Sequence, residues 1–229
     1  MVVSSFFHHP EDNMKTHEEN PMKKNILFFD IETEVNSDAV EFMQVPSAPS
    51  NYKDADKIAA YIAEKQAEAL KTAALDPDYG KIIAIAMSGD LDLEPFVIDY
   101  HDYNEKQLLE QFWLYYEECN GYSCGYNIIG FDLPYIMRRS FDLGVKASII
   151  PFLAKYRTEP TIDLMGILFN WGQAKGLKWV CKRYGIDNPL PDLDGSMVQD
   201  MDIAILRAYV ANDVKLVQAL YKKMSGIYF

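Results

Sequence analysis

The sequence predicts an α/β fold in which a mixed sheet is flanked by helices. Short apolar runs rich in branched and aromatic side chains recur between residues 26 and 126, and their length is typical of buried strands. A long segment, 201–224, repeats apolar residues at helical spacing and contains no internal glycine or proline. Three strands in succession, then a helix and a fourth strand, indicate a sheet with both parallel and antiparallel pairs.

The elements follow in order along the chain. The first predicted strand covers 26–31, and a proline-containing loop at 44–53 leads into an alanine-rich helix from about Ala55 to Ala74. Further along, the pattern predicts strands at 82–87, 96–98 and 122–126, a helix near 105–119, a helix start at Asp132, a short strand or turn at 161–164 and a helix opening at Gly176. The polar residues 1–23 are predicted to be a disordered extension, and 24–229 the folded domain.

Four acidic residues lie in apolar surroundings where a free carboxylate is costly: Asp30, Glu32, Asp132 and Asp213. Burying an unpaired carboxylate costs several kcal/mol, so a bound cation is a good reason for their presence. Alternation along a strand places Asp30 and Glu32 on one face, roughly 6.5 to 7 Å apart along the backbone. Helical spacing places Tyr209 and Asp213 on one face of the last helix. The pattern therefore predicts a two-metal phosphodiesterase site.

Each motif taken alone also has an ordinary explanation. An Asp-x-Glu pair can begin a surface loop, and Asp132 can serve only as a helix cap. Tyr209 can be a core tyrosine and Asp213 a solvated acid. The metal site is favoured because all three motifs occur together, in this order and on the expected elements.

The motifs Asp-x-Glu at 30–32, Asn-x-x-x-Phe-Asp at 127–132 and Tyr-x-x-x-Asp at 209–213 resemble those of the DEDD superfamily of 3′→5′ exonucleases. The tyrosine places the resemblance in the tyrosine subgroup, since the sister subgroup has histidine where this chain has Ala208. The chain is similar, from about Lys24 to its C-terminus, to the proofreading domains of family-B DNA polymerases and their stand-alone phage and bacterial relatives. The resemblance implies a ribonuclease H-like fold.

The resemblance also implies a ligand set for two divalent cations. Asp30 would contact both ions, Glu32 and Asp213 would complete the first, and Asp132 would hold the second largely through water. Hard oxygen ligands favour Mg²⁺ or Mn²⁺, which would activate a water and stabilise the leaving 3′ oxygen. These four acids and Tyr209 are the expected catalytic residues. With an unperturbed pKa of about 10, Tyr209 is a poor general base and is expected to orient the water.

Three further residues are expected to contact substrate. Thr33 resembles a position that meets the terminal nucleotide, and Asn127 resembles one that places the substrate strand. Both also fit ordinary turn or strand-end residues, and Phe131 fits either a core position or a wall for base stacking. The segment 44–75 resembles an insertion of the phage-type relatives, and it lies either over the substrate cleft or outside it.

The expected function is metal-dependent hydrolysis of nucleotides from the 3′ end of single-stranded DNA. One alternative is an exoribonuclease of the ribonuclease D type, which differs in its treatment of the 2′-hydroxyl. The other is a non-catalytic nucleic-acid-binding module on the same scaffold. A decayed nuclease of this kind is expected to have lost metal-binding acids, whereas all four acids are present in this chain. Whether a polymerase or another replication or recombination partner acts with the chain stays open.

The overall charge argues against tight nonspecific binding of nucleic acid, because the 229 residues carry a net charge of -12. However, the segment 138–183 has nine basic and three acidic residues. Such a basic region is sufficient for a short single strand, although it also fits a solvated surface. No apolar stretch has the length of a membrane span, and three cysteines without zinc-site spacing favour a reduced, cytoplasmic setting.

Overall fold

A computed structural model describes residues 25–229, and the predicted extension at 1–23 lies outside the described residues. The strands are β1 (Leu27–Val35), β2 (Gly80–Ser88), β3 (Phe96–Asp99), β4 (Ser123–Gly125) and β5 (Thr161–Asp163). The helices are α1 (Ala55–Thr72), α2 (Glu105–Glu118), α3 (Asp132–Leu143), α4 (Leu164–Leu168), α5 (Leu177–Tyr184) and α6 (Ile203–Met224). Short 3₁₀ turns occupy Val40–Phe42, Ala73–Leu75 and Gly195–Asp200. Among residues 25–229, no helix is long and apolar enough to cross a membrane.

The five strands form one mixed sheet in the order β3-β2-β1-β4-β5. The pairs β1–β2 and β2–β3 are antiparallel, whereas β1–β4 and β4–β5 are parallel. The predicted mixed sheet flanked by helices is therefore present. Because β1, β4 and β5 run in the same direction, their C-terminal ends lie at the same end of the sheet. The chain segments that follow β4 and β5 therefore begin at that end.

The two faces of β1 contact different helices. Leu27, Phe29 and Ile31 pack in a hydrophobic core with side chains of α2 and α3. Phe28 points to the opposite face and packs with side chains of α6. Because side chains alternate along a strand, Asp30 and Glu32 share the face of Phe28. The alternation alone therefore directs both acids toward α6.

The first strand is longer than predicted. It continues to Val35, so both acids lie within the strand instead of at its end. Its pairing with β2 is irregular between Glu32 and Thr33, which locally changes the direction of the strand. The short helix α4 was not predicted, because its five residues offer too little periodicity, and the segment 161–164 contributes a three-residue strand. The other predicted elements are present, with ends shifted by a few residues.

A buried ion pair fixes α3 to the rest of the domain. The Arg139 guanidinium donates two hydrogen bonds of 2.8 Å to the Glu105 carboxylate, and only 7% of the Arg139 side chain is exposed. Glu105 also accepts a hydrogen bond from the Ile82 backbone N–H. The pair thus connects α2, α3 and β2, and it holds the helix that begins with Asp132.

Candidate active site

Three carboxylates meet where β1 passes α6. One oxygen from each of Asp30, Glu32 and Asp213 lies within 4.8 Å of the others, which is close enough for a single cation to contact all three. Glu32 and Asp213 are buried and Asp30 is partly buried. The strand supplies two of these acids and the helix the third, so two rigid elements fix their spacing.

Asp132 lies beside this group but is not one of its three members. It is buried at the start of α3, and its Oδ1 accepts a hydrogen bond of 3.3 Å from the Ile31 N–H. The parallel strand β4 ends at Gly125 and pairs with β1 only at Leu27 and Phe28. Asp132 therefore takes the place of a strand partner for the backbone N–H of Ile31. The capping residue of α3 is Phe131, and the alternative explanation of Asp132 as only a cap is therefore wrong.

The four acids are held in strongly unfavourable surroundings for negative charge. Burial raises the pKa of Asp30 well above its usual range, and the neighbouring carboxylates, first that of Asp132, raise it further. The pKa of Glu32 is also raised well above its usual range, first by burial and then by the charge of Asp213. Burial raises the pKa of Asp132 to about 7 and also raises that of Asp213.

A divalent cation would relieve this repulsion, and the donor set fits one. All the side-chain donors are carboxylate oxygens, the ligands that Mg²⁺ and Mn²⁺ prefer. Asp213 Oδ1 is buried and has no hydrogen-bond partner within residues 25–229. An unsatisfied buried carboxylate oxygen is costly, and coordination of a cation would remove that cost.

Tyr209 lies one helical turn before Asp213, and its hydroxyl is close enough to the Asp213 carboxylate to lower the pKa of that acid. Burial raises the pKa of Tyr209, and the charges of Glu32, Asp213 and Asp30 raise it further. The hydroxyl therefore keeps its proton at neutral pH. It is suited to donate a hydrogen bond and not to accept a proton.

Lys178 is a site residue that the sequence did not identify. Its Nζ lies 5.0 Å from the centre of the Tyr209 ring and is buried without a hydrogen-bond partner in the described part of the chain. The pKa values of Asp213 and Glu32 are raised overall, and the Lys178 ammonium partly offsets that rise. In the sequence, Lys178 was one of nine basic residues, but its position between Leu177 and the buried Val180 on α5 is a signal that it faces inward.

The expected substrate residues do not all line one cavity. Thr33 and Phe131 line a cavity of about 630 Å³ that also borders Glu32. Phe131 is only partly buried, and it packs on the core while it also lines this cavity. Its role as a wall for base stacking stays a prediction. Asn127 borders a separate cavity of about 180 Å³ together with Lys155 and Trp171.

Asp163 organises the turn between β4 and α3. Its carboxylate accepts hydrogen bonds from the backbone N–H groups of Asn127, Ile129 and Gly166 at 3.0 to 3.1 Å. Asn127 has a φ of 69°, a left-handed conformation that asparagine tolerates better than most residues. The hydrogen bonds from Asn127 and Ile129 hold the segment that leads into Asp132, and the one from Gly166 caps α4.

Comparison with known families identifies the class of protein. Residues 75–227 match the model of a family described as a predicted 3′-5′ exonuclease related to the exonuclease domain of PolB. The chain belongs to this family, and the predicted resemblance to DEDD-type exonucleases is confirmed. The matched segment contains Asp132, Tyr209 and Asp213, whereas Asp30 and Glu32 precede it and join the site through β1.

A solved structure supports the fold. The family B DNA polymerase from the hyperthermophilic archaeon Pyrobaculum calidifontis is similar to 87% of this chain, with a TM-score of 0.57 and 20% sequence identity. The match covers 24% of that polymerase, so this chain spans about a quarter of its length. The similarity confirms the ribonuclease H-like α/β fold. A search of curated proteins found no match.

The buried acids predict an unusual pH dependence of stability for the protein without metal. Since the pKa of Asp132 is higher in the folded state, the folded state binds more protons than the unfolded state between about pH 4 and 7. In EDTA, the free energy of unfolding should therefore fall as pH rises from 5 to 8, and Asp132→Asn should reduce that fall by on the order of 2 kcal/mol. Urea unfolding at both pH values measures it. The exposed Asp187→Asn is the matched control, and equal slopes for all three proteins would contradict the raised pKa.

Proposed function

We propose that this protein is a metal-dependent exonuclease that removes nucleotides from the 3′ end of single-stranded DNA. The observation that carries the proposal is the meeting of Asp30, Glu32 and Asp213 within 4.8 Å, with Asp132 beside them. The family match supports the 3′-5′ direction of hydrolysis, and its relation to the PolB exonuclease domain supports DNA as the substrate. In this proposal the exonuclease domain spans 24–229, because β1 carries two of the acids.

The four carboxylates are the proposed ligands of two divalent cations, Mg²⁺ or Mn²⁺. Asp30 is assigned to both ions, Glu32 and Asp213 to the first, and Asp132 to the second through water. The chemistry that two such ions supply is activation of a water and stabilisation of the leaving 3′ oxygen. The protein contributes a fixed arrangement of charges, because the ligands come from β1 and from two helices packed on opposite faces of the sheet.

Tyr209 and Lys178 are proposed to assist without binding a cation. The Tyr209 hydroxyl is protonated and close to Asp213, so it can orient the attacking water by a hydrogen bond. The Lys178 ammonium is the positive charge beside Glu32 and Asp213. It can hold these acids ionised for the cations and stabilise the negative charge that develops on the phosphate.

The substrate contacts divide between two cavities. Thr33 and Phe131 are proposed to contact the terminal nucleotide, because both line the cavity next to Glu32. Asn127 is proposed to contact the strand upstream of it, from the smaller cavity that Lys155 also lines. A lysine beside an aromatic side chain such as Trp171 suits a single strand, which offers phosphates and base faces.

The direct test is nucleotide release from 5′-labelled single-stranded DNA and from RNA of the same sequence, with Mg²⁺ or Mn²⁺ present. The wild type should shorten the DNA stepwise from its 3′ end, and Asp30→Asn should lower the rate by at least about 10³-fold because it removes a ligand of both cations. Asp56→Asn, at an exposed position of α1, is the control. Faster hydrolysis of RNA would change the substrate class, and no hydrolysis of either strand would contradict the enzyme.

Lys178 provides a second test of the site. Lys178→Met keeps most of the side-chain volume but removes the charge, so kcat on single-stranded DNA should fall by about 10²-fold. Steady-state kinetics measure the effect. Lys182→Met, which changes an exposed lysine of the same helix, should leave kcat within about twofold of the wild type. An unchanged kcat in Lys178→Met would show that the ammonium serves only the fold.

A further inference from the structure

The segment between β1 and β2 forms part of the wall of the main cavity. Residues from the end of α1 and the turn that follows, Leu70, Lys71, Ala74 and Leu75, line the same cavity of about 630 Å³ as Glu32, Thr33 and Phe131. Gly195, Ser196 and Gln199, from the turn before α6, also line this cavity. Its volume lies in the range of pockets that enclose one small ligand. The sequence left open whether this insertion lies over the substrate cleft or outside it, and its C-terminal end lines the cavity that borders Glu32.

The part of the insertion nearest the cavity is anchored to the sheet. Ala73 is buried, and the Tyr135 hydroxyl donates a hydrogen bond of 2.9 Å to the Ala74 carbonyl. Gly80, at the start of β2, allows this close approach, because a Cβ at that position would overlap the Tyr135 hydroxyl and approach the Ala74 carbonyl to 2.7 Å. The wall therefore has a fixed position relative to Glu32 and Thr33.

Helix α1 is largely exposed to solvent, and the exposed apolar side chains at its end and in the turn that follows face the cavity. No residue of α1 is buried, so neither hydrophobic core depends on this helix. Leu70 is 41% and Leu75 61% exposed, and both line the cavity beside the partly buried Phe131. Of the four site acids, Glu32 also lines this cavity, so its lining has an apolar side and an acidic side. A ligand that suits both sides has one flat apolar part and one part that binds near carboxylates and their cations.

The 3′-terminal nucleoside of a single strand has this chemistry. We propose that Leu70 and Leu75 contact the face of the terminal base, while its sugar and phosphate lie toward Thr33 and Glu32. This inference rests on the proposed exonuclease function and assigns the insertion a role in it. Because the wall surrounds a cavity of single-nucleotide scale, the terminal base must be separated from a complementary strand to enter. The insertion is thus a specificity element for unpaired 3′ ends.

The test uses the double variant Leu70→Ala/Leu75→Ala and a single-stranded oligonucleotide with 2-aminopurine at its 3′ end. In the wild type, binding with Ca²⁺ present should change the fluorescence of the terminal 2-aminopurine, and the double variant should lose most of this change. The double variant should also raise KM for hydrolysis with Mg²⁺ about tenfold while kcat stays within about twofold, since contacts made equally in the ground and transition states affect KM. Leu114→Ala, at a similarly exposed leucine of α2, is the matched control.

The two measurements separate this inference from the proposed function. If the wild type hydrolyses DNA but the double variant behaves like Leu114→Ala in both measurements, the role of the insertion is overturned and the exonuclease stands. If the wild type gives the fluorescence change, loses it in the double variant and hydrolyses neither DNA nor RNA, the nucleoside pocket is supported and the catalytic function fails. Absence of both hydrolysis and a fluorescence change in the wild type overturns both.

Discussion

Mutual repulsion among four carboxylates in a desolvated space is the constraint on which the arrangement of this protein depends. Asp30 and Glu32 cannot move apart, because they lie on the central strand of the sheet between β2 and β4. Asp213 is fixed by α6, whose apolar face packs on the same side of that strand. The acids thus keep their pKa values raised. A cation of high charge density is the ligand that turns this repulsion into binding.

The fold brings these acids together by alternation and by strand direction. Odd-numbered residues of β1 from Leu27 to Ile31 belong to the core beneath α2 and α3, so even-numbered residues face α6. The early end of β4 leaves room for the turn that leads into α3, and Asp163 holds that turn by two backbone hydrogen bonds. The buried pair of Arg139 and Glu105 then fixes α3 itself. Two helices on opposite faces can therefore present acids to one point beside the central strand.

The sequence was sufficient for features that depend on local periodicity. The spacing of Asp30 and Glu32 on a strand, and of Tyr209 and Asp213 on a helix, follows from the repeat of each element. Features that depend on the meeting of distant segments were beyond it. Lys178 has no local signal stronger than a lysine among apolar neighbours, and its approach to Tyr209 requires the packing of α5 against α6. Likewise, the separation of Asn127 from the cavity of Thr33 depends on the loops around Lys155 and Trp171.

The most direct test of the central claim is calorimetric titration of the metal-free protein with Mn²⁺ at neutral pH, repeated in two buffers of different ionisation enthalpy. Saturable binding should be accompanied by release of protons, because carboxyl groups with raised pKa values must lose them to coordinate a cation. Asp213→Asn should weaken binding by at least about tenfold, since a ligand is lost. Binding that is absent, that releases no protons or that is equal in the variant would contradict a cation site at these acids.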